Sequence, residues 1–360
     1  MQGPKPQLRA TLSPEIASNI SPLAAEWDDL ADRTSAPPFL RPGWFAAWEE
    51  AFGAASLEVL AVRRHGRLAG VLPLQRRRAT VSSLTNVHTP AYAPVVEDEQ
   101  AAKELGHVLA GRGALQIVLE HVDADAPALQ ACLAPLRARG CRLLTRTMNL
   151  SPYVSLDGDV SDFERGLRAK RRSNLRRVRR RLESRGALSL EVADGGERLD
   201  ELLAEGFRVE AAAWKEGGGT AISSRRETRR FYTAAARWAA EKGMLRLAYL
   251  RLDGRPVAFD YCLEGDGCHY LLKTGYDPAY RSDAPGMLMR YEMIRRAFEL
   301  GLRSYEFLGA NQEWKLEWTD RCHERSRIRV YAPTARGLVA WRARSSGGPL
   351  ARAALRRLRR

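Results

Sequence analysis

Two carboxylates interrupt apolar, strand-like runs: Asp260 in PVAFDYCL and Glu306 in SYEFLG. Burial beside aromatic neighbours such as Phe259, Tyr261, Tyr305 and Phe307 would raise a carboxylate pKa toward the range useful for accepting a proton. An outward-facing carboxylate has the same spacing, because alternation along a strand does not say which face is buried. Between the two lies YLLKTGYDPAYRSDAPGMLMRYEMIRR, in which a strand gives way to a loop ending at Pro285-Gly286 and a helix starts at once. The first turn of a helix presents unpaired N–H groups and a positive dipole end, and Gly286 lets a phosphate approach the backbone. The plainer reading is a Pro-Gly turn that opens a surface helix. Tyr276 and Tyr280 offer hydroxyls nearby, with aromatic packing as the alternative. Lys315, between Trp314 and Trp318, is a cation among rings or a stem that snorkels.

The elements that must position these residues alternate. In the first half, helices are expected over Pro22–Asp32, through Trp44–Phe52, and over Glu99–Ala110 and Pro127–Arg139. Strands are expected over Leu57–Val62 and Leu68–Leu74, around His65-Gly66, and over Leu115–Val122 and Arg142–Met148. The second half opens with a long basic helix, Asp162–Ser184, and a strand at Leu188–Val192. Helices Arg198–Lys215 and Thr228–Lys242 follow, separated by the flexible run Gly217-Gly218-Gly219. Next come a hairpin, Met244–Leu252 with Pro256–Glu264 around Asp253-Gly254, and a strand at His269–Thr274. Helix Met287–Leu300 and strands Arg303–Leu308 and Arg327–Tyr331 complete the pattern, which is that of a mixed α/β layer. A shift of 188 residues lays Arg63, Gly66 and Arg67 on Arg251, Gly254 and Arg255, so a duplicated unit is expected.

The chain has 360 residues and a formal net charge of +15, with 45% hydrophobic and 28% charged residues. Those proportions exclude collagen, coiled coil and wholesale disorder, and the length suits two domains. The charge is localised. Asp162–Arg185 carries eleven Arg and Lys against three acids, and Arg336–Arg360 carries eight Arg and no acid, so the remainder is near neutral. Two anion-facing places are expected rather than a uniformly basic surface. For the helix, the alternatives are a solvated face or a platform for a nucleotide-linked sugar, a tRNA or lipid headgroups; its cations fall on every face. In the tail, Leu350, Ala354, Leu355 and Leu358 fall at helical spacing among arginines, which suits an anionic membrane surface; a disordered tail fits equally. No run approaches about 18 apolar residues, so no membrane span is expected. Met1–Ile20 has two scattered cations and no apolar block, unlike a signal peptide. Five cysteines without a C-x-x-C pair argue for a reducing cytosol, and Cys262 and Cys268 are expected to be buried strand residues. The six histidines form no ligand-spaced set, so no metal is expected.

The succession Y-D-P-x-Y at Tyr276–Tyr280, S-x-x-P-G-x-L at Ser282–Leu288, a strand ending Phe307-Leu308-Gly309, and W-K-x-x-W at Trp314–Trp318 resembles the GNAT acyltransferase superfamily. More narrowly, it is similar to the CelD-like (cellulose-biosynthesis) branch, related to the Fem peptidoglycan transferases. The run Lys170-Arg171-Arg172-Ser173-Asn174-Leu175-Arg176-Arg177 resembles that branch's basic motif. The resemblance covers residues 160–332, and the first half only through the duplication.

That resemblance implies an α/β (α+β) fold of two tandem GNAT-like units, at 1–152 and 153–335, followed by a basic tail at 336–360. It implies an enzyme, and the cysteine usage and basic tail add the expectation of a cytoplasmic location, peripheral at the inner membrane face. The enzyme would move an acyl group from acyl-CoA to a small amine or amino sugar by direct attack. Arg281 and the backbone of Asp283, Ala284, Pro285, Gly286, Met287 and Leu288 would hold the pyrophosphate, although common GNAT loops are richer in glycine. Asp260 or Glu306 would be the base. Tyr276 or Tyr280 would hydrogen-bond the acceptor or protonate the thiolate, and Lys315 would lie near the reacting carbonyl. Lys170, Arg171, Asn174, Arg177, Lys273 and Trp314 are the expected substrate-binding residues. The alternatives are an aminoacyl-tRNA-dependent transferase and a non-catalytic adaptor.

Overall fold

A computed structural model describes residues 12–213 and 222–346. The Gly217–Gly219 run and the helical spacing of Leu350–Leu358 lie outside the described residues. The chain forms β1 (Leu12–Ala17), α1 (Ala24–Arg33), α2 (Pro42–Phe52), β2 (Leu57–Arg64), β3 (Arg67–Arg77), β4 (Thr80–Ser83) and β5 (Val95–Val96). It continues with α3 (Glu99–Gly111), β6 (Gln116–Val122), α4 (Pro127–Ala138) and β7 (Arg142–Ser155). Then follow α5 (Val160–Gly166), α6 (Ala169–Glu183), β8 (Leu188–Ala193), α7 (Leu199–Ala213), α8 (Arg226–Glu241), β9 (Leu245–Leu252), β10 (Arg255–Gly265) and β11 (Cys268–Tyr276). Last come α9 (Pro285–Glu299), β12 (Ser304–Glu306), α10 (Glu313–Leu316), β13 (Cys322–Tyr331) and α11 (Ala335–Ser345).

Two compact units result, and neither is continuous in sequence. Unit 1 takes residues up to 45, 54–148 and those from 324 onward; unit 2 takes 46–53 and 149–323. Cuts at 152 and 335 do not coincide with this division. Unit 1 orders its strands β1-β2-β3-β4-β6-β13, and unit 2 orders its own β8-β9-β10-β11-β12-β7. The pairings match one for one. Three antiparallel steps lead to a parallel one (β4 on β6; β11 on β12), and a final antiparallel strand closes each sheet. Two helices separate the first two strands in each unit, and one long helix, α3 or α9, connects the parallel pair. The duplication visible in the hairpins therefore extends through the whole mixed sheet.

The hairpins explain why the repeat survives in sequence. Both turns place two residues at positive φ, His65 and Gly66 in one, Asp253 and Gly254 in the other. Such turns favour a short polar residue followed by glycine. Arg63 reaches Glu15 on β1 and Glu26 on α1 and donates to the Gly66 carbonyl at 3.0 Å. Arg251 makes the same set of contacts in unit 2, with Glu191 on β8, Glu205 on α7 and the Gly254 carbonyl at 3.1 Å.

The basic helix differs from expectation. It breaks at Leu167-Arg168 into α5 and α6, and it does have a buried stripe: Leu175, Val178 and Leu182 pack into the core of unit 2 with Leu288, Met289 and Met293 of α9. Much of its charge is used in docking, since Arg179 pairs with Glu292, and Arg185 with Asp283. Part of the expected tail is ordered too. In α11, Gly337 packs against the Ala332 backbone, Ala340 and Ala343 are buried, and Arg142 lies over the Trp341 ring. Among the described residues no helix is long and apolar enough to cross a membrane.

Candidate active site

The site is built at the start of α9. Ala284 adopts a left-handed conformation, φ 48° and ψ 50°, and caps the helix with no side-chain hydrogen bond. Pro285 accounts for Ala284 lying outside the helix, and alanine has no side-chain acceptor to bond the first turn. A residue before proline is kept out of the right-handed helical region, and proline at the first helical position sacrifices an N–H that has no helical partner anyway. The N–H groups of this turn therefore have no side-chain oxygen placed over them. In unit 1 the equivalent helix, α3, begins differently: the Asp98 carboxylate accepts the Ala101 N–H at 2.9 Å. That carboxylate fills the anion position at the start of α3 with the protein's own charge.

A cavity of about 490 Å³ opens in front of α9. Of the residues singled out from sequence, Arg171, Tyr276, Arg281, Ala284, Pro285, Gly286, Met287 and Trp314 line it. Gly286 leaves room on its Tyr276 side, where an added methyl group would sit 3.7 Å from the ring. Arg171 bonds Glu317 and stacks 4.5 Å over Trp318. Thr274, Gly275, Arg290, Gln312, Glu317 and Trp318 also line the cavity and were not singled out. Arg290 carried one usable signal: it lies four residues after Gly286 and so shares its helix face.

Other expected residues lie elsewhere. Asp260 is completely buried and points beneath the cavity wall, with both oxygens on Arg290 at 2.7 and 2.9 Å. Arg290 also donates to the Thr274 hydroxyl at 3.1 Å and to the Tyr305 hydroxyl. Burial disfavours its charge, yet Asp260 and the surrounding groups hold the guanidinium above its usual range. Glu306 is buried between the Ser304 hydroxyl, 2.7 Å away, and His323. Neither carboxylate lines the cavity. Asp260 is the buried alternative of the two readings, and its partner lies on α9, the helix packed against its strand.

Lys315 is buried under Trp314 and donates to the carbonyls of Leu308 at 2.5 Å and Ala310 at 3.0 Å. Burial, with the Arg290 charge nearby, brings its pKa down to about 8. It therefore braces the loop after β12. Asp283 and Leu288 are buried behind the helix start, and Tyr280 lies under the Arg185 guanidinium. Lys170 and Arg177 are exposed on α6, Asn174 bonds Arg177 at 3.2 Å, and Lys273 faces Tyr232. Cys262 is buried and Cys268 half-buried.

Residues 169–316 match the model of an acetyltransferase (GNAT) domain. No curated protein matches the chain. Among solved structures, that of FemX is similar over 87% of this chain and 96% of its own, with 14% identity and a TM-score of 0.60. The C-terminal domain of a putative lysylphosphatidylglycerol synthetase from Agrobacterium fabrum is similar over 89% and 94%, with 11% identity and a TM-score of 0.57. A conserved protein from Bacteroides thetaiotaomicron gives 13% identity over 86% and 97%, with a TM-score of 0.51. These likenesses show the fold, and within it residues 169–316 are similar to an acetyltransferase (GNAT) domain.

Proposed function

We propose that unit 2 binds acyl-CoA in the cavity before α9 and passes the acyl group directly to an amine. GNAT enzymes typically use acyl-CoA. The observation that carries the reading is the uncapped start of α9, with Gly286 open and Arg171 and Arg281 on the same cavity wall. That arrangement suits a pyrophosphate: backbone N–H groups, a positive dipole end and two cations converge at one cavity wall. Trp314, Trp318 and Met287 supply an apolar wall for the pantetheine arm.

The unpaired edge of β11 serves the acyl end. β11 pairs with β12 only at Cys268–Tyr270, so Leu271–Tyr276 has no strand partner on that side among the described residues. Direct attack needs no nucleophilic cysteine. Tyr276 lines the cavity, which supports its role as proton donor to the departing thiolate. Arg290, fixed by Asp260, Thr274 and Tyr305, gives the wall a rigid positive charge that favours the oxyanion. The acceptor class follows from the chemistry: a neutral primary amine, such as that of an amino sugar, attacks a thioester readily once its proton has a destination.

Calorimetry with CoA and acetyl-CoA tests the donor site, and mass-detected acetylation of an amine panel tests the acceptor class. Absence of CoA binding to the folded protein sinks the donor assignment.

A further inference from the structure

We propose that Glu210 of α7 receives the acceptor's proton, and so serves as the catalytic base from the face of the sheet opposite α9. The proposal rests on the acyl-CoA reading above. Glu210 is completely buried, and its Oε2 accepts the Ile222 N–H at 2.9 Å. Its Oε1 has no hydrogen-bond partner among the described residues. Anchoring Ile222 needs one neutral acceptor, which glutamine would supply without burying a charge. A second, unsatisfied oxygen is costly to keep buried and calls for a ligand.

Its position identifies that ligand. Gly275 lines the donor cavity, and a side chain there would collide with α7, its Cβ coming within 2.5 Å of the Glu210 Cα. Glu210 therefore stands immediately behind the cavity wall, where β11 has lost its strand partner. Thr274 and Tyr276 face α9, whereas Lys273 and Gly275 face α7. Among the described residues, Lys273 of β11 and Tyr232 of α8 bear on Glu210 electrostatically. Burial raises the Glu210 pKa, and the Lys273 charge opposes that rise only in part. An amine that reaches the thioester at this break in the sheet has Glu210 beside it. The amine nitrogen bonds the acyl carbon, the C–S bond breaks, the nitrogen's proton passes to Glu210 and the sulfur leaves as CoA thiolate.

Glu210→Gln keeps the Ile222 anchor and removes the base. Acetyl-CoA hydrolysis, in which water replaces the amine, is followed against pH alongside CoA calorimetry and thermal unfolding. The variant should bind CoA within twofold of wild type, unfold cooperatively, lose about 100-fold in rate and lose the acidic limb of the profile. A rate within threefold of wild type with that limb retained overturns the proposal. So does a loss of rate accompanied by loss of CoA binding, or a wild type that binds CoA and never hydrolyses acetyl-CoA. A wild type that fails to bind CoA overturns the donor reading instead.

Discussion

Asp260 and Arg290 form a two-pronged ion pair in which both side chains are almost wholly buried, one on β10 and the other on α9, the helix at whose start the cavity opens. Removing one partner leaves the other charged, buried and unpaired, which typically costs about 3–5 kcal/mol. Asp260→Asn should therefore lower unfolding free energy by that order in urea titration. The double change Asp260→Leu with Arg290→Met should recover much of it. A loss of activity in Asp260→Asn without loss of stability would restore Asp260 as a base.

Gly286 separates charge from bulk. Gly286→Ala places its methyl group at ordinary contact distance from Tyr276, so CoA affinity should fall by less than about tenfold, or 1.4 kcal/mol. Gly286→Asp sets a carboxylate at the pyrophosphate position and should reduce affinity beyond calorimetric detection while the protein still unfolds cooperatively. Equal affinities in the two variants would remove the anion from this helix start.

The matching arginines predict matching energetics. Arg63→Met and Arg251→Met each remove charge-assisted bonds to two carboxylates and a carbonyl. Both arginines are partly exposed, so the losses should be about 1–2 kcal/mol each. The sum should hold in the double variant, because the sites share no partner. A cost at one site only would mean that the two hairpins are held differently.

The raised pKa of Glu210 fixes a sign. The folded state holds this proton more tightly than the unfolded chain, so stability is undiminished below the ordinary glutamate pKa and falls as pH rises through the folded value. Glu210→Gln should consequently unfold at a higher temperature than wild type at pH 8, and the two should converge toward pH 4. An unchanged difference across that range would mean that Glu210 is not buried as a carboxylate.

Truncation distinguishes the two parts of the C-terminus. Deleting 347–360 should leave the unfolding temperature within a degree or two. Deleting from Arg336 also removes the buried Ala340 and Ala343 of α11 and should lower it by several degrees. Equal effects would show that α11 contributes nothing to the fold.

Most elements were legible because their signals are local. Pro-Gly started α9, two hairpin turns marked the repeat, and apolar strands declared themselves. The pairing of Asp260 with Arg290 was not legible, since it joins a strand to a helix thirty residues later through side chains that each look functional alone. The break between α5 and α6 was hidden by continuous charge, which masked the three-residue stripe of Leu175, Val178 and Leu182. Glu210 went unnoticed because a glutamate on an amphipathic helix reads as solvated; only the Gly275 contact reveals what lies behind it.

The closing strand of unit 1 has a consequence for synthesis. β6 pairs with β13 through Val122 and Ser326, Leu119 and Ile328, Ile117 and Val330. At about 5–20 residues per second, the ribosome needs on the order of ten seconds or more between making one strand and making its partner. Throughout that interval the apolar edge of β6 is a bare template for other chains. Unit 2 waits in the same way, because β7 is made first and its partner β12 comes only after the rest of that sheet, Val154 facing Tyr305. Unit 2 can complete its sheet once β12 emerges, and unit 1 waits for β13, the last strand of all.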